Sequence, residues 1–313
     1  MKGHLFALGA LALIVEVGSG RADYIYTTFD VPGSTNTNLL GINNAGQIVG
    51  AYTTTDTGIN QGFLLSGGSY TTFNVPASTF TVPNGINDLG QIVGQYGATG
   101  TSHGFLLNGG NFTTLDVPGA PGTTAYGMNN AGQIVGSYQG GGGHGFLLNA
   151  GTYTPLEVPG SVSTAAYRIN NAGQIVGQYF ATGRTHGFLL SNGNYTAIDV
   201  PGASLTIATG INNVGQITGM YLASGAYHPF LLSDGDYTTL EPPGSIVASN
   251  PGFEVDINDA GEIVGTYRDA AGAFHGYLGI PAGAPVPEPS TLLLLATGTL
   301  GMIGWAWRRR RRM

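Results

Sequence analysis

The chain has 313 residues, 54 of them glycine and only 9% charged, a length that suits one large domain or two small ones. It contains no cysteine, which excludes disulfides, thiolate zinc sites and cysteine nucleophiles. Between residues 23 and 286 three arginines (Arg168, Arg184, Arg268) stand against fifteen acids, a net charge of −12. A surface of that sign repels nucleic acid and anionic membranes and leaves cations, neutral glycans or basic partners as possible ligands.

Residues 1–22, MKGHLFALGALALIVEVGSGRA, combine a short basic start, an apolar run interrupted by Glu16 and a small-residue exit. That is the pattern of a secretory signal peptide, with cleavage expected after Ala22. The glycines that follow alternate with Ile, Val, Phe, Leu and Tyr in short apolar runs, the signature of an all-β chain with many tight turns.

The octapeptide "NNAGQIVG" at 43–50 returns at 129–136 and 170–177, with close copies at 87–94, 212–219 and 258–265. The first Asn of each copy (Asn43, Asn87, Asn129, Asn170, Asn212, Asn258) is followed by the next after 44, 42, 41, 42 and 46 residues. Each period fits four strands: one leading into the motif (Leu39 to Asn44), one leaving it (Gln47 to Tyr52), one over Gly62 to Leu65 and one over Tyr70 to Val75. Asn-Asn-Ala-Gly makes the first hairpin turn and Gly-rich pairs such as "SNGN" make the last. Pro118 and Pro201 cannot donate to a ladder and mark the strand exits. Four strands per period, in tandem, predict a β-propeller; a solenoid would show shorter rungs without two hairpin signals each.

The array is incomplete at both ends, and the two gaps are complementary. "YIYTTFDVPG" at 24–33 is a fourth strand without a third, and "HGYLGIPAG" at 275–283 is a third strand without a fourth. Pairing them completes a sixth blade, closes the ring and hides its edges. Residues 23–283 are therefore expected to form a six-bladed β-propeller of four-stranded blades, closed by the N-terminal strand. The repeated "HGF", with Gly104, Gly145, Gly187 and Gly276, Pro229 once in place of the glycine and Gln61 once in place of the histidine, resembles the HAF-type extracellular repeat. The resemblance implies an extracellular repeat protein and no particular activity.

Few residues suggest chemistry. His103, His144, His186, His228 and His275 share one repeat position, but sixfold rotation separates them, whereas zinc needs its ligands within ~2.1 Å. Each is expected to bond a neighbouring backbone or Asn group and to pack between blades. Acids recur before Val-Pro at Asp30, Asp116, Glu157, Asp199 and Glu241, with Asn74 in the remaining place, and read as turn or edge devices. A repeated tyrosine (Tyr52, Tyr96, Tyr138, Tyr179, Tyr221, Tyr267) packs between blades or stacks on sugars. "DINDAGEIVG" at 256–265 only partly follows a calcium loop, having Ala260 at its fifth position. Function is expected where the repeat breaks. Arg168 and Asp256 replace the glycine that opens the motif elsewhere and, on blades four and six, are expected not to be neighbours. Arg184, Arg268 and Asp269 are placed in loops between second and third strands. No nucleophile elbow, phosphate loop or paired-carboxylate pattern is present, so no catalytic residue, metal or cofactor is assigned.

Residues 284–313 place three features in order: Pro287, Glu288 and Pro289; an apolar run from Leu292 to Trp307; and Arg308, Arg309, Arg310, Arg311 and Arg312. Sixteen helical residues rise about 24 Å, slightly short of a ~30 Å hydrocarbon core, and the arginines should stay cytoplasmic. This tail resembles the PEP-CTERM sorting signal of Gram-negative bacteria. The resemblance implies that Pro287, Glu288 and Pro289 are a processing signal cut by an exosortase after an inner-membrane intermediate. It also implies a cell-surface or matrix protein linked to exopolysaccharide and biofilm; a plain C-terminal membrane anchor is the alternative. The functional expectation is a non-catalytic binding or structural module, against the alternative of a polysaccharide lyase or hydrolase built from loop residues.

Overall fold

The computed structural model describes residues 24–282 except 57, 99, 141–142, 241 and 243–253. The signal peptide expected at 1–22 and the tail expected at 284–313, with its Pro-Glu-Pro motif and arginines, lie outside the described residues. So does Glu241. Among the described residues no helix is long and apolar enough to cross a membrane.

The N-terminal strand is β1 (Tyr24–Phe29). The first blade comprises β2 (Asn36–Ile42), β3 (Ile48–Thr53), β4 (Gln61–Ser66) and β5 (Ser69–Phe73). The second comprises β6 (Phe80–Ile86), β7 (Ile92–Ala98), β8 (Thr101–Asn108) and β9 (Asn111–Leu115). The third runs through β10 (Thr123–Met128), β11 (Ile134–Gln139), β12 (Gly143–Asn149) and β13 (Thr152–Leu156). The fourth runs through β14 (Ser163–Ile169), β15 (Ile175–Ala181), β16 (Arg184–Ser191) and β17 (Asn194–Ile198). The fifth has β18 (Leu205–Ile211), β19 (Ile217–Ala223), β20 (Ala226–Ser233) and β21 (Asp236–Thr239). The sixth has β22 (Asp256–Ile257), β23 (Ile263–Arg268) and β24 (Phe274–Pro281), with β1 as its outer strand. These are six four-stranded antiparallel sheets, the six-bladed propeller that the repeats predict.

The first and last strands meet in the sixth blade. β1 lies antiparallel to β24, with Tyr24 opposite Pro281 and Phe29 opposite Gly276. Tyr24 donates from its phenol to the Gly261 carbonyl at 3.1 Å, and Thr28 bonds Tyr267 at 3.0 Å.

Apolar packing lies between blades. Val49 of the first blade clusters with Val75, Ile86, Ile92 and Phe105, placing it against the second, and Val264 of the last blade clusters with Leu39, Ile48 and Phe63 of the first. The last glycine of the octapeptide makes room inside its own blade. A Cβ on Gly50 would lie 2.0 Å from the Asn38 carbonyl oxygen and 2.7 Å from the Phe63 ring. Gly46 takes φ 69° in the first hairpin turn, as its place in Asn-Asn-Ala-Gly predicts.

Candidate functional site

The octapeptide does more than turn the chain. In each blade the first Asn is 3–4% exposed and its amide is saturated. The Asn129 Oδ1 accepts from the Ala131 and Gln133 amides, while its Nδ2 donates to Gln133 Oε1 at 2.8 Å and to the Asn170 carbonyl of the next blade at 3.2 Å. The inter-blade link recurs from Asn43 to Asn87, Asn87 to Asn129, Asn170 to Asn212, Asn212 to Asn258 and Asn258 back to Asn43. A second cycle lies beside it. The backbone amides of Asn44, Asp88, Asn130, Asn171, Asn213 and Asp259 each donate to the side-chain Oδ1 of the next member, the last returning to Asn44. Two closed rings of hydrogen bonds thus circle one end of the channel.

Next to the rings, a collar of Ile42, Ile86, Met128, Ile169, Ile211 and Ile257 closes that end; all six are at most 8% exposed. The space left there is about 60 Å³, enough for a few waters and no organic ligand.

Beyond the collar, the innermost strand of each of the first five blades carries a β-bulge, between Leu39 and Gly41, Pro83 and Gly85, Ala125 and Gly127, Ala166 and Arg168, and Ala208 and Gly210. The extra residues are Leu40, Asn84, Tyr126, Tyr167 and Thr209, and all five line a cavity of about 290 Å³. Gln95, Glu254, Val82, Ile207 and Met220 complete its wall. Tyr126 and Tyr167 stand with ring centroids 4.8 Å apart. Asn84 donates to the Ala125 carbonyl and Thr209 bonds both backbone groups of Val255, so these two are fixed by the scaffold.

Arg168 lies between collar and cavity, and here the sequence expectation is corrected. Arg168 and Asp256 are neighbours: Nε faces Asp256 Oδ1 at 3.1 Å, although its N–H is not aligned for a hydrogen bond. Blades separated by 120° around a ring meet at its axis, and an arginine is long enough to cross it. The guanidinium donates to the carbonyls of Tyr126, Tyr167, Asn84 and Leu40, so it ties the first four blades to the sixth. Asp256 accepts from the Ile42 amide at 3.1 Å. Among the described residues no group of three or more His, Cys, Asp or Glu is placed to hold a metal ion.

Burial lifts the Glu254 carboxyl to about 7, with Arg168 pulling it down and Asp256 pushing it up. Burial also raises Asp256, opposed by Arg168 and by the Ile42 and Ile257 amides. Burial opposes charge on Arg168, but Asp256 and Glu254 more than compensate and keep it ionised. Burial, reinforced by Glu254, holds both Tyr126 and Tyr167 phenols protonated.

The repeated histidines also differ from expectation, because their main partners are the repeated acids. Nδ1 of His103, His144, His186 and His275 meets Asp116, Glu157, Asp199 and Asp30 at 2.8–3.1 Å. Each of these rings stacks on the repeated tyrosine of its blade, as His228 does on Tyr221, with centroids 5.0–5.3 Å apart. An imidazole that bonds only backbone or Asn would leave the acid opposite it without a donor. Where Gln61 replaces histidine, its amide oxygen accepts from Asn74 and Tyr52.

Arg184 and Arg268 are strand ends and not loop residues. Arg184 opens β16 and meets Asp199 at 3.1 Å and His186 at 3.3 Å. Arg268 closes β23, bonds the Gly272 carbonyl and covers the Phe274 ring, and Asp269 beside it meets His275 at 3.3 Å. These three sit in hairpins of blades four and six, at the sheet end opposite the asparagine rings. A larger groove of about 420 Å³ is walled by Tyr138, Phe146, Tyr153 and Pro118, which recur in other blades and carry no individual chemistry.

Residues 285–311 match the PEP-CTERM protein-sorting motif. The PEP-CTERM tail implies an exported protein that passes through the membrane to the cell surface and is processed by an exosortase. No curated protein matches the chain. Among solved structures, a mutant Aleuria aurantia lectin bound to alpha-methyl-L-fucoside aligns with TM-score 0.50 and 14% identity, covering 82% of this chain and 99% of the lectin. A streptogramin B lyase aligns at 0.45 with 16% identity, covering 81% and 87%, and Trypanosoma rangeli sialidase in complex with the inhibitor DANA at 0.46 with 10%, covering 94% and 63%. At these identities the likeness concerns the fold alone.

Beside this PEP-CTERM tail, the residues that sequence reasoning missed are those of the cavity. Leu40, Asn84, Tyr126, Tyr167 and Thr209 occupy one column of the repeat, just before the Gly or Arg that precedes Ile or Met. The signal was there: chemistry changes in that column while the octapeptide that begins three residues later repeats.

Proposed function

We propose that this chain is an exported, surface-sorted propeller that acts as a non-catalytic binding module for a segment of extracellular polysaccharide, held in the channel cavity. The reading agrees with the HAF-type resemblance of its repeats and with a matrix setting. The observation that carries it is the bulge column. It is the place where a repetitive fold presents four kinds of side chain from five blades to a common space. Two tyrosine rings supply flat faces for a pyranose, and amide and carboxyl groups supply hydrogen bonds. A volume of about 290 Å³ accommodates one sugar ring, so the segment is held through a single sugar residue that enters the cavity.

A polysaccharide-acting enzyme is the second reading, favoured by Glu254. A carboxyl that titrates near 7 is what a general acid or base needs. Against it, Asp256 is held by Arg168 and the Ile42 amide, and among the described residues no second carboxylate lines the cavity beside Glu254.

The test is a glycan array with the processed protein and a Tyr126→Leu/Tyr167→Leu variant, followed by mass spectrometry of the bound oligosaccharides. Binding that the variant loses, with the oligosaccharide recovered intact, supports the module. Cleaved products favour the enzyme, and absence of any glycan binding overturns both.

A further inference from the structure

We propose that the sugar held in the cavity carries a free primary amine, with Glu254 as the anionic partner of the ammonium and Tyr126 and Tyr167 as the aromatic wall beside it. This deepens the glycan-binding reading and rests on it.

Counting donors leads to Glu254. The terminal NH2 nitrogen of Arg168 carries two hydrogens. Three acceptors compete for them: the Leu40 carbonyl, the Asn84 carbonyl at 2.8 Å and Glu254 Oε2 at 3.3 Å. Two carbonyls are nearer, so the carboxylate is the surplus acceptor. Asp256 differs, because it accepts a hydrogen bond from the Ile42 amide and pairs by charge with the Arg168 Nε at 3.1 Å. Arg168 therefore neutralises one acid while a second faces it and lines the cavity. Among the described residues no other cation stands at this site.

A ligand that brings its own positive charge completes this arrangement. The charged groups around Glu254 are Arg168, Asp256 and the neutral phenols of Tyr126 and Tyr167, so an ionised Glu254 leaves the cluster one negative charge in excess. Tyrosine faces attract a cation as well as stack on a ring. The net charge of −12 between residues 23 and 286 acts in the same direction at longer range. Binding an ammonium would drive the proton off Glu254, which otherwise titrates near neutrality.

The full-length protein in detergent is titrated calorimetrically with glucosamine oligomers and with the same oligomers N-acetylated, in two buffers of different ionisation enthalpy at about pH 5.5, where the amines are already ammonium ions and Glu254 still holds its proton. The amine series is expected to bind about tenfold tighter and with proton release, and Glu254→Gln to erase both the preference between the two series and the release. A cooperative thermal unfolding transition like that of the parent protein shows that the variant is folded. Equal affinity for the two series, or a preference that survives Glu254→Gln, overturns the ammonium assignment and leaves glycan binding intact. If neither series binds, and neutral hexose oligomers also fail, the glycan reading falls with it.

Discussion

Asn129 and Asn130 are adjacent, yet they hold the ring together on different terms. Asn129 is buried and makes four bonds, one of them to the next blade, whereas Asn130 lies on the partly exposed outer ring. Removing an amide whose partners stay buried costs about 1–3 kcal/mol, and removing one whose partners reach water costs less. Asn129→Ala is therefore expected to lower stability by about 2–3 kcal/mol and Asn130→Ala by under ~1 kcal/mol. Urea denaturation of the two variants checks this, and equal losses would contradict it. The turn role of Asn129 is legible in the sequence, because Asn before Ala-Gly favours a hairpin. Its role between blades is not, because that bond reaches a carbonyl 41 residues on and exists only once the sheets are arranged around an axis. Arg168 follows the same logic. As a break in the repeat it is conspicuous, but blade order says nothing about how short the distance across the axis is.

At the scale of strands, the sequence reveals repeat, blade number and closure because hairpin signals are local and the missing strands are countable. The bulges are less visible, since one extra residue in the innermost strand leaves the repeat length within its ordinary variation. The pairing of histidine with acid has a legible trace: Gln61 and Asn74 depart from the repeat together, in the same blade, and they touch. In the last blade this pairing crosses the chain closure, from His275 on β24 to Asp30 on β1. Partial burial lowers the imidazole pKa, but bonds to Asp30 and Asp269 more than offset it, so the folded value is raised. Stability from a raised histidine is complete below its unfolded value of about 6.5 and is lost as pH rises through the folded value. Hydrogen-exchange protection of β1 is thus expected to fall as pH rises from mildly acidic to alkaline. His275→Gln, the residue nature uses at position 61, should flatten that dependence. Protection that is independent of pH in the parent protein would refute the role of this pair.

For the whole molecule, two closed hydrogen-bond cycles, an axial arginine and a completing N-terminal strand all require six blades, and the PEP-CTERM motif beyond them governs destination. Replacing Pro287, Glu288 and Pro289 with alanine is expected to leave an uncut, membrane-held product on immunoblots of cell fractions, with the propeller unaltered. Unchanged processing would show that the sorting enzyme reads something else. The split sixth blade has one more consequence, which concerns order in time. Synthesis makes β1 first and its partner β24 last, so Tyr24–Phe29 must wait for nearly the whole chain before it can pair. A chain that stops short of Phe274 keeps one strand unpaired and one ring open, with raw edges that invite capture or degradation. The sorting motif begins at residue 285, directly after that last strand, so a molecule cannot carry its address without first carrying the strand that seals it. Every chain long enough to carry the motif is thereby long enough to close its ring.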